Sequence, residues 1–258
     1  MDNAALKKNF EAIGARAKFN LDAIPPWRGS EQRFTIDVGA DRKGEFFNVE
    51  VFDDTVHLSA LDVRPRDHHL LLISDDQQRI LCGHDERHWF AAGVEGAGNV
   101  EKAKEALKPP AVLESQHRNK LKKKSRNTRK NHAFVRQGEW FFIPAPDLIP
   151  DEWVILNKEP IRRGQGKPHM VENVYRRGGT TVYVCSQYPN GLAEREYKTL
   201  LRNHPEKKGL PWQQMARGAE VYAKGRVRHP DHKTIVLPFW HRVLPNKEVN
   251  SASVAFLD

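Results

Sequence analysis

Six side chains able to hold a metal or move a proton fall in two short segments of this chain. RHPDHKTIVLPFWHRV, Arg228 to Val243, contains His229, Asp231, His232 and His241, while GKPHMVE, Gly166 to Glu172, contains His169 and Glu172. Neutral imidazole is a zinc-type ligand, and three imidazoles with an open fourth position make a catalytic centre rather than a closed structural one. His229 and His232 are three apart, which on a straight strand sends them to opposite faces. Pro230 and Asp231 make HPDH a turn, however, and a turn lets both rings converge. His169 and Glu172 have the same spacing behind Pro168, a residue suited to the first turn of a helix, where the two share a face. The reading is a divalent metal such as zinc on His169, His229 and His232, with Glu172 or Asp231 as general base. The competing reading has these imidazoles capping strands and bonding backbone groups, because neither spacing is specific by itself.

Other candidate motifs are weaker. CGHDERHWF places His84 and His88 four apart, but the residue after the first is Asp85, not the Glu of a zinc-protease helix, and the surrounding residues favour a strand. The cluster reads as a charged turn or a polar contact loop. RRGQGKP has one residue between Gly164 and Gly166, and Pro168 follows Lys167, so a phosphate-cradling P-loop is excluded. There is no GxSxG, CxxC or kinase signature.

The net charge of +9 is a local feature. Arg118, Lys120, Lys122, Lys123, Lys124, Arg126, Arg129, Lys130 and Arg136 follow one another with no Asp or Glu between them, and the other 33 basic residues equal the 33 acidic ones. Each such side chain that neutralises a phosphate releases condensed counterions, which gives strong, salt-sensitive, sequence-indifferent binding to nucleic acid. Asn119, Asn127 and Asn131 add neutral donors. Trp140, Phe141 and Phe142 lie just downstream, where aromatic faces stack on unpaired bases, so RNA is favoured over DNA. The alternative is a solvated linker or an arm that docks an acidic protein.

The elements that must position these groups follow from patterning. A chain of 258 residues suits two domains. Leu6, Phe10, Ile13 and Ala17 share a helix face over Leu6 to Lys18, with Asp2 or Asn3 as cap. Pro25-Pro26-Trp27 marks an extended connection. RFTIDV, GEFFNVEVF, VHLSALDV, HHLLLISDD, RILCG and HWFAAGV read as strands. Asn99 caps a helix over VEKAKEAL that Pro109 and Pro110 stop. KLKKKSRNTRKN, with its single Leu, reads as a flexible linker in isolation. Beyond it come further strands, a helix over Leu192 to His204 with Asn190 as cap, and a short helix in PWQQMAR. The expected organisation is an N-terminal helical arm at 1–28, an α+β domain at 29–112, a basic linker at 113–133, and a β-rich domain at 134–258 with a helical insertion at 190–217. The fold class is α+β and predominantly antiparallel β, the second domain a small β-barrel or jelly-roll-like unit.

With 39% hydrophobic and 29% charged residues and a mean hydropathy of −0.69, the chain reads as soluble. Its apolar runs fall far short of the roughly 20 residues of a membrane-spanning helix. MDNAALKKNFEAIG lacks the apolar core of a secretory signal. Cys82 and Cys185 form no disulfide framework and read as buried small hydrophobes in a reducing compartment. A cytoplasmic location without membrane contact is expected.

From Arg136 onward, the order of features resembles that of small uncharacterised proteins encoded by phages, plasmids and bacterial genomes. Those chains have an Arg-Gln-Gly-Asp strand, a Gly-rich segment carrying His, and a His-x-x-His pair before Ile-x-Leu-Pro. Here the matching residues are Arg136, Gln137 and Gly138 with Glu139 in place of Asp, then Gly164, Gly166 and His169, then His229, His232, Ile235, Leu237 and Pro238. The resemblance spans 134–258 and implies that the His positions belong to one motif; it supplies no reaction. Three functions stay open: a nucleic-acid-associated protein, a metal-dependent hydrolase of phosphodiesters, and a non-catalytic adaptor that assembles with a protein partner in a phage or bacterial system.

Overall fold

The computed structural model describes residues 2–24, 32–163 and 167–248. The connection expected at Pro25-Pro26-Trp27 and the glycines Gly164 and Gly166 lie outside the described residues. The chain divides into two compact units, which meet in sequence between Pro109 and Pro110; residues 247–248 belong with the first. The class is α+β with mostly antiparallel sheet. No helix among the described residues is long and apolar enough to cross a membrane.

In the first unit, α1 (Asn3–Ala12) is capped by Asp2, whose carboxylate accepts from the Ala5 amide at 3.0 Å. The helix stops well before Lys18 because Gly14 takes φ +85°. Ala17 therefore belongs to β1 (Ala17–Asn20), which with β2 (Phe34–Asp41) and β3 (Gly44–Val51) forms a sheet of order β1-β3-β2. The helix of the expected N-terminal arm docks on this unit, with Leu6, Phe10 and Ile13 in its core.

A second sheet follows chain order: β4 (Leu58–Arg64), β5 (His69–Ser74), β6 (Arg79–Asp85) and β7 (His88–Val94). The unbroken apolar run of β5 has a physical reason. Leu70 and Leu72 pack with Phe10 and Phe47, whereas Leu71 packs on the other face with Val100 and Ala103 of α2 (Val100–Ala106). Asn99 caps α2 by accepting from the Lys102 amide at 2.9 Å. The CGHDERHWF cluster is the β6–β7 hairpin, held by Glu45, whose carboxylate takes the Trp89 amide at 2.9 Å and pairs with His88. Cys82 and Cys185 are both buried and free, and burial pushes the Cys82 thiol well up.

The second unit begins with α3 (Pro110–Arg118), opened by the second of the two prolines expected to do no more than end a helix. Its strands are β8 (Val135–Gln137), β9 (Trp140–Pro144), β10 (Ile155–Ile161), β11 (His169–Arg177), β12 (Thr180–Cys185), β13 (Tyr188–Ala193), β14 (Gln213–Arg217), β15 (Glu220–Arg228) and β16 (Ile235–Pro245), with α4 (Glu194–Asn203) after β13. Six of them form one antiparallel sheet of order β10-β11-β15-β16-β9-β8. The sheet is open, ending at β10 and β8, so of the small barrel or jelly-roll-like unit expected, no closed barrel is found among the described residues.

Strand β9 is buried on both faces: Trp140 and Phe142 join Val171, Val227 and Leu237, and Phe141 joins Val112 and Phe134 on the opposite side. The insertion is a three-stranded sheet, β13-β12-β14, against which α4 docks by stacking Tyr197 on Tyr183 at 3.9 Å. The cap of α4 is Ala193, not Asn190; its amide donates to Glu196 at 2.8 Å. PWQQMAR is no helix. Gln213–Arg217 pairs with β12, Met215 opposite Val182, and that pairing overrides a weak local helical preference.

Candidate metal centre

His169 is the first residue of β11, and β11 runs antiparallel to β15 with Met170 opposite Arg228. One step further in the same register sets His169 beside His229. After Arg228 the chain turns through His229-Pro230-Asp231-His232 and re-enters the sheet as β16. This register and turn bring three imidazoles together. One ligand nitrogen from each of His169, His229 and His232 lies within 4.8 Å of the others. The rings are stacked, with centroids 4.1 Å apart for His169 and His229, 4.6 Å for His229 and His232, and 5.5 Å for His169 and His232.

His169 is only 1% exposed, yet neither of its ring nitrogens has a hydrogen-bond partner. A buried polar group left in that state costs about 1–3 kcal/mol, and a ligand that takes up a nitrogen recovers it. Burial, then the charges of His229 and His232, hold the His169 imidazole down to about 3 against an opposing contribution from Asp231. His229 is lowered as well, chiefly by burial and then by His232. Neutral imidazoles are the protonation state that metal ligation needs. Among the described residues, this is the grouping of His, Cys, Asp and Glu that could hold an ion.

The two expected general bases fare differently. Glu172 does not share a face with His169, because Pro168 opens no helix: His169 to Arg177 is a strand, in which residues three apart point to opposite sides. Its carboxylate accepts from the Arg226 amide at 2.9 Å and from Arg226 Nε at 3.1 Å. Those bonds lower its pKa and make it a poor base. Asp231 stays near the imidazoles, raising both His169 and His229, and pairs with Lys167 Nζ at 2.9 Å. His241 is remote in role: it is 3% exposed on β16, its Nδ1 lying 2.7 Å from the Phe239 carbonyl.

Sequence patterning alone missed three residues, all from the β8–β9 turn. Gln137 is fully buried and its Nε2 donates to the carbonyls of Val227, at 3.2 Å, and Lys233, at 2.7 Å. Gly138 takes φ +56° directly beneath the imidazoles. Glu139 interacts electrostatically with His229; burial raises its carboxyl, offset in part by its own amide and by His229 and Arg163. The available signal was Arg136-Gln137-Gly138, which reads as a turn and falls, with Glu139, in the same resemblance as the His positions, although no spacing sets it against the imidazoles.

The basic segment is ordered. Leu121 packs against the small core of Val112 from α3, Ala133 and Phe134 from the end of the segment itself, and Phe141 from β9. Ser115 Oγ donates to the Ala133 carbonyl and the Gln116 amide to the Arg126 carbonyl, both at 2.8 Å. Asn131 accepts from the amides of Ala133 and Phe134 at 2.9 and 3.1 Å and donates to the carbonyls of Ser125 and Thr128. Asn119 likewise bonds the Ser115 carbonyl at 2.8 Å. Asn119 and Asn131 are therefore spent on folding the loop. Arg118, Lys120, Lys122, Lys123, Lys124, Arg126 and Lys130 are exposed on it, with Arg129 and Arg136 half-buried.

One expected contact is corrected. Trp140 is 0% exposed, Phe141 3% and Phe142 0%, so none of these rings offers a face to a base.

The second unit is thus an open antiparallel sheet with a three-histidine centre at the β11 and β15–β16 end and a folded basic loop before β8. No protein family, curated protein or solved structure matches the chain.

Proposed function

We propose that the protein is nucleic-acid-associated, holding phosphates on the folded basic loop, and that His169, His229 and His232 bind a divalent ion of the zinc type that serves phosphodiester hydrolysis. The convergence of three imidazoles from segments some sixty residues apart in sequence to within 4.8 Å carries the metal reading. The bare nitrogens of His169 support it, since a purely structural cluster would bond them to backbone. When bound, such an ion supplies Lewis acidity toward a phosphoryl oxygen and a nucleophile at neutral pH. Asp231 and Glu139 are the carboxyl groups whose charges act on the imidazoles; of the two expected bases Asp231 keeps the proton-handling role, and Glu139 joins it in place of Glu172.

The polymer is nucleic acid on the strength of the exposed Lys and Arg side chains from Arg118 to Lys130. With the aromatic faces buried, backbone charge is what they recognise, which removes the reason to favour single-stranded RNA.

The test is elemental analysis of protein purified without chelator, together with cleavage of labelled RNA and DNA in the presence of zinc or manganese. About one ion per chain and metal-dependent cleavage are expected. Metal-free protein that binds nucleic acid without cutting it would reduce the function to association. A stoichiometric protein partner with neither metal nor nucleic acid would replace both readings with an adaptor.

A further inference from the structure

We infer that the β8–β9 turn is the positioning element of the histidine centre: Gln137 holds the loop that carries two of the ligands, and Gly138 leaves open the space that an ion takes. This deepens the metal reading and rests on it.

Gln137 reaches its partners across the sheet. Val227 and Lys233, whose carbonyls its Nε2 contacts, flank His229 and His232 in sequence. A single buried amide therefore fixes both ends of the ligand loop. Donation to two carbonyls also fixes the orientation of the amide, since only the NH2 side can donate. Its Oε1 faces the other way, buried and without a hydrogen-bond partner.

Gly138 supplies the second part. A Cβ on Gly138 would lie 2.7 Å from His232 Nε2 and 3.4 Å from His169 Nε2. The Nε2 atoms of two of the three imidazoles therefore lie close to one point just above this residue. Zinc-type bonds to imidazole are about 2.0–2.1 Å long, so an ion shared by these two nitrogens on the Gly138 side sits beside that point. A methyl group there competes with it directly. The φ of +56° is a separate demand for glycine, met by a two-residue hairpin turn with glycine at its first central position. Trp140, edge-on to His169 at 6.2 Å and fully buried, closes the floor.

The experiment is cobalt(II) titration of the full-length protein, followed by its visible absorption bands, for wild type, Gly138→Ala and Gln137→Leu. Thermal unfolding in chelator reports the fold of each. Wild type is expected to bind one cobalt with intense tetrahedral-type bands. Gln137→Leu should weaken binding on the order of 10- to 100-fold, the usual effect of losing a residue that orients ligands. Gly138→Ala should lose the bands while still unfolding cooperatively in chelator. Should the strain at φ +56° unfold that variant, Gln137→Leu decides alone. Wild-type protein without bands overturns the centre and this inference together. Wild-type bands with unchanged affinity and spectrum in the folded variants overturn this inference and leave the centre standing.

Discussion

Gln116, on α3 and 5% exposed, donates its side-chain amide to the backbone carbonyl of Arg126 in the middle of the basic loop. A stretch with one Leu and no acidic residue is thereby tied to the folded unit, and the spacing of its charges is set before any partner arrives. Removing the tie leaves a carbonyl without its donor. Gln116→Ala and Asn131→Ala should each lower stability by about 1–3 kcal/mol. Limited proteolysis should then cut first between Lys120 and Lys130; urea midpoints equal to wild type with no new cleavage would show that the loop is held by something else.

The charges themselves should act through phosphate. Lys122→Gln, Lys123→Gln and Lys124→Gln combined should reduce the slope of log affinity against log salt by up to about 2.7 for duplex DNA, at 0.9 per contact. With Trp140 buried, duplex should bind at least as tightly as a single strand of equal length. Fluorescence anisotropy across a salt series reads both, and an unchanged slope would remove the loop from the interface.

Metal binding should appear as stability. Zinc at a hundred times its Kd should add about 2.7 kcal/mol to the unfolding free energy, by mass action. Chelator should reverse the gain, and His229→Ala or His232→Ala should abolish it. Differential scanning fluorimetry with and without zinc is sufficient, and a variant that responds like wild type would take that histidine out of the centre.

A pH effect belongs to the first unit. Burial, and next the charge of Lys104, hold His69 down to about 4, from an ordinary value near 6.5. Between these values the unfolded chain binds the proton and the folded one does not. Stability contributed by the neutral ring is thus complete above about pH 6.5 and is lost as pH falls toward 4, by about 3 kcal/mol at most. Urea unfolding at pH 7 and pH 5 should show a smaller loss for His69→Gln than for wild type.

Much of this architecture was legible because strands buried on one face alternate, as RFTIDV and GEFFNVEVF do. What failed depended on contacts distant in sequence. The basic segment looked unable to order itself because its one Leu, Leu121, finds its apolar partners at Val112, Phe134 and Phe141. Trp140 looked available for stacking because nothing local reveals that β9 is covered on both faces. At the centre, the HPDH turn was sufficient to bring His229 and His232 together, and the pairing of β11 with β15 added His169. Glu172 was misplaced by reading Pro168 as a helix start, whereas the Met170 to Arg228 register makes the segment a strand.

Strand β16 lies inside the large sheet, between β15 and β9, although among the described residues it is the last of that sheet's strands in sequence. During synthesis, the basic loop and the β8–β9 hairpin emerge roughly a hundred residues ahead of it, and until it inserts, β9 and β15 have no common neighbour. The β8–β9 turn, with Gln137 and Gly138, consequently joins the histidine loop late, after a long-range strand insertion of the kind that slows folding. An ion would load a finished site instead of templating one, so chelator present during refolding should leave the yield of folded protein unchanged.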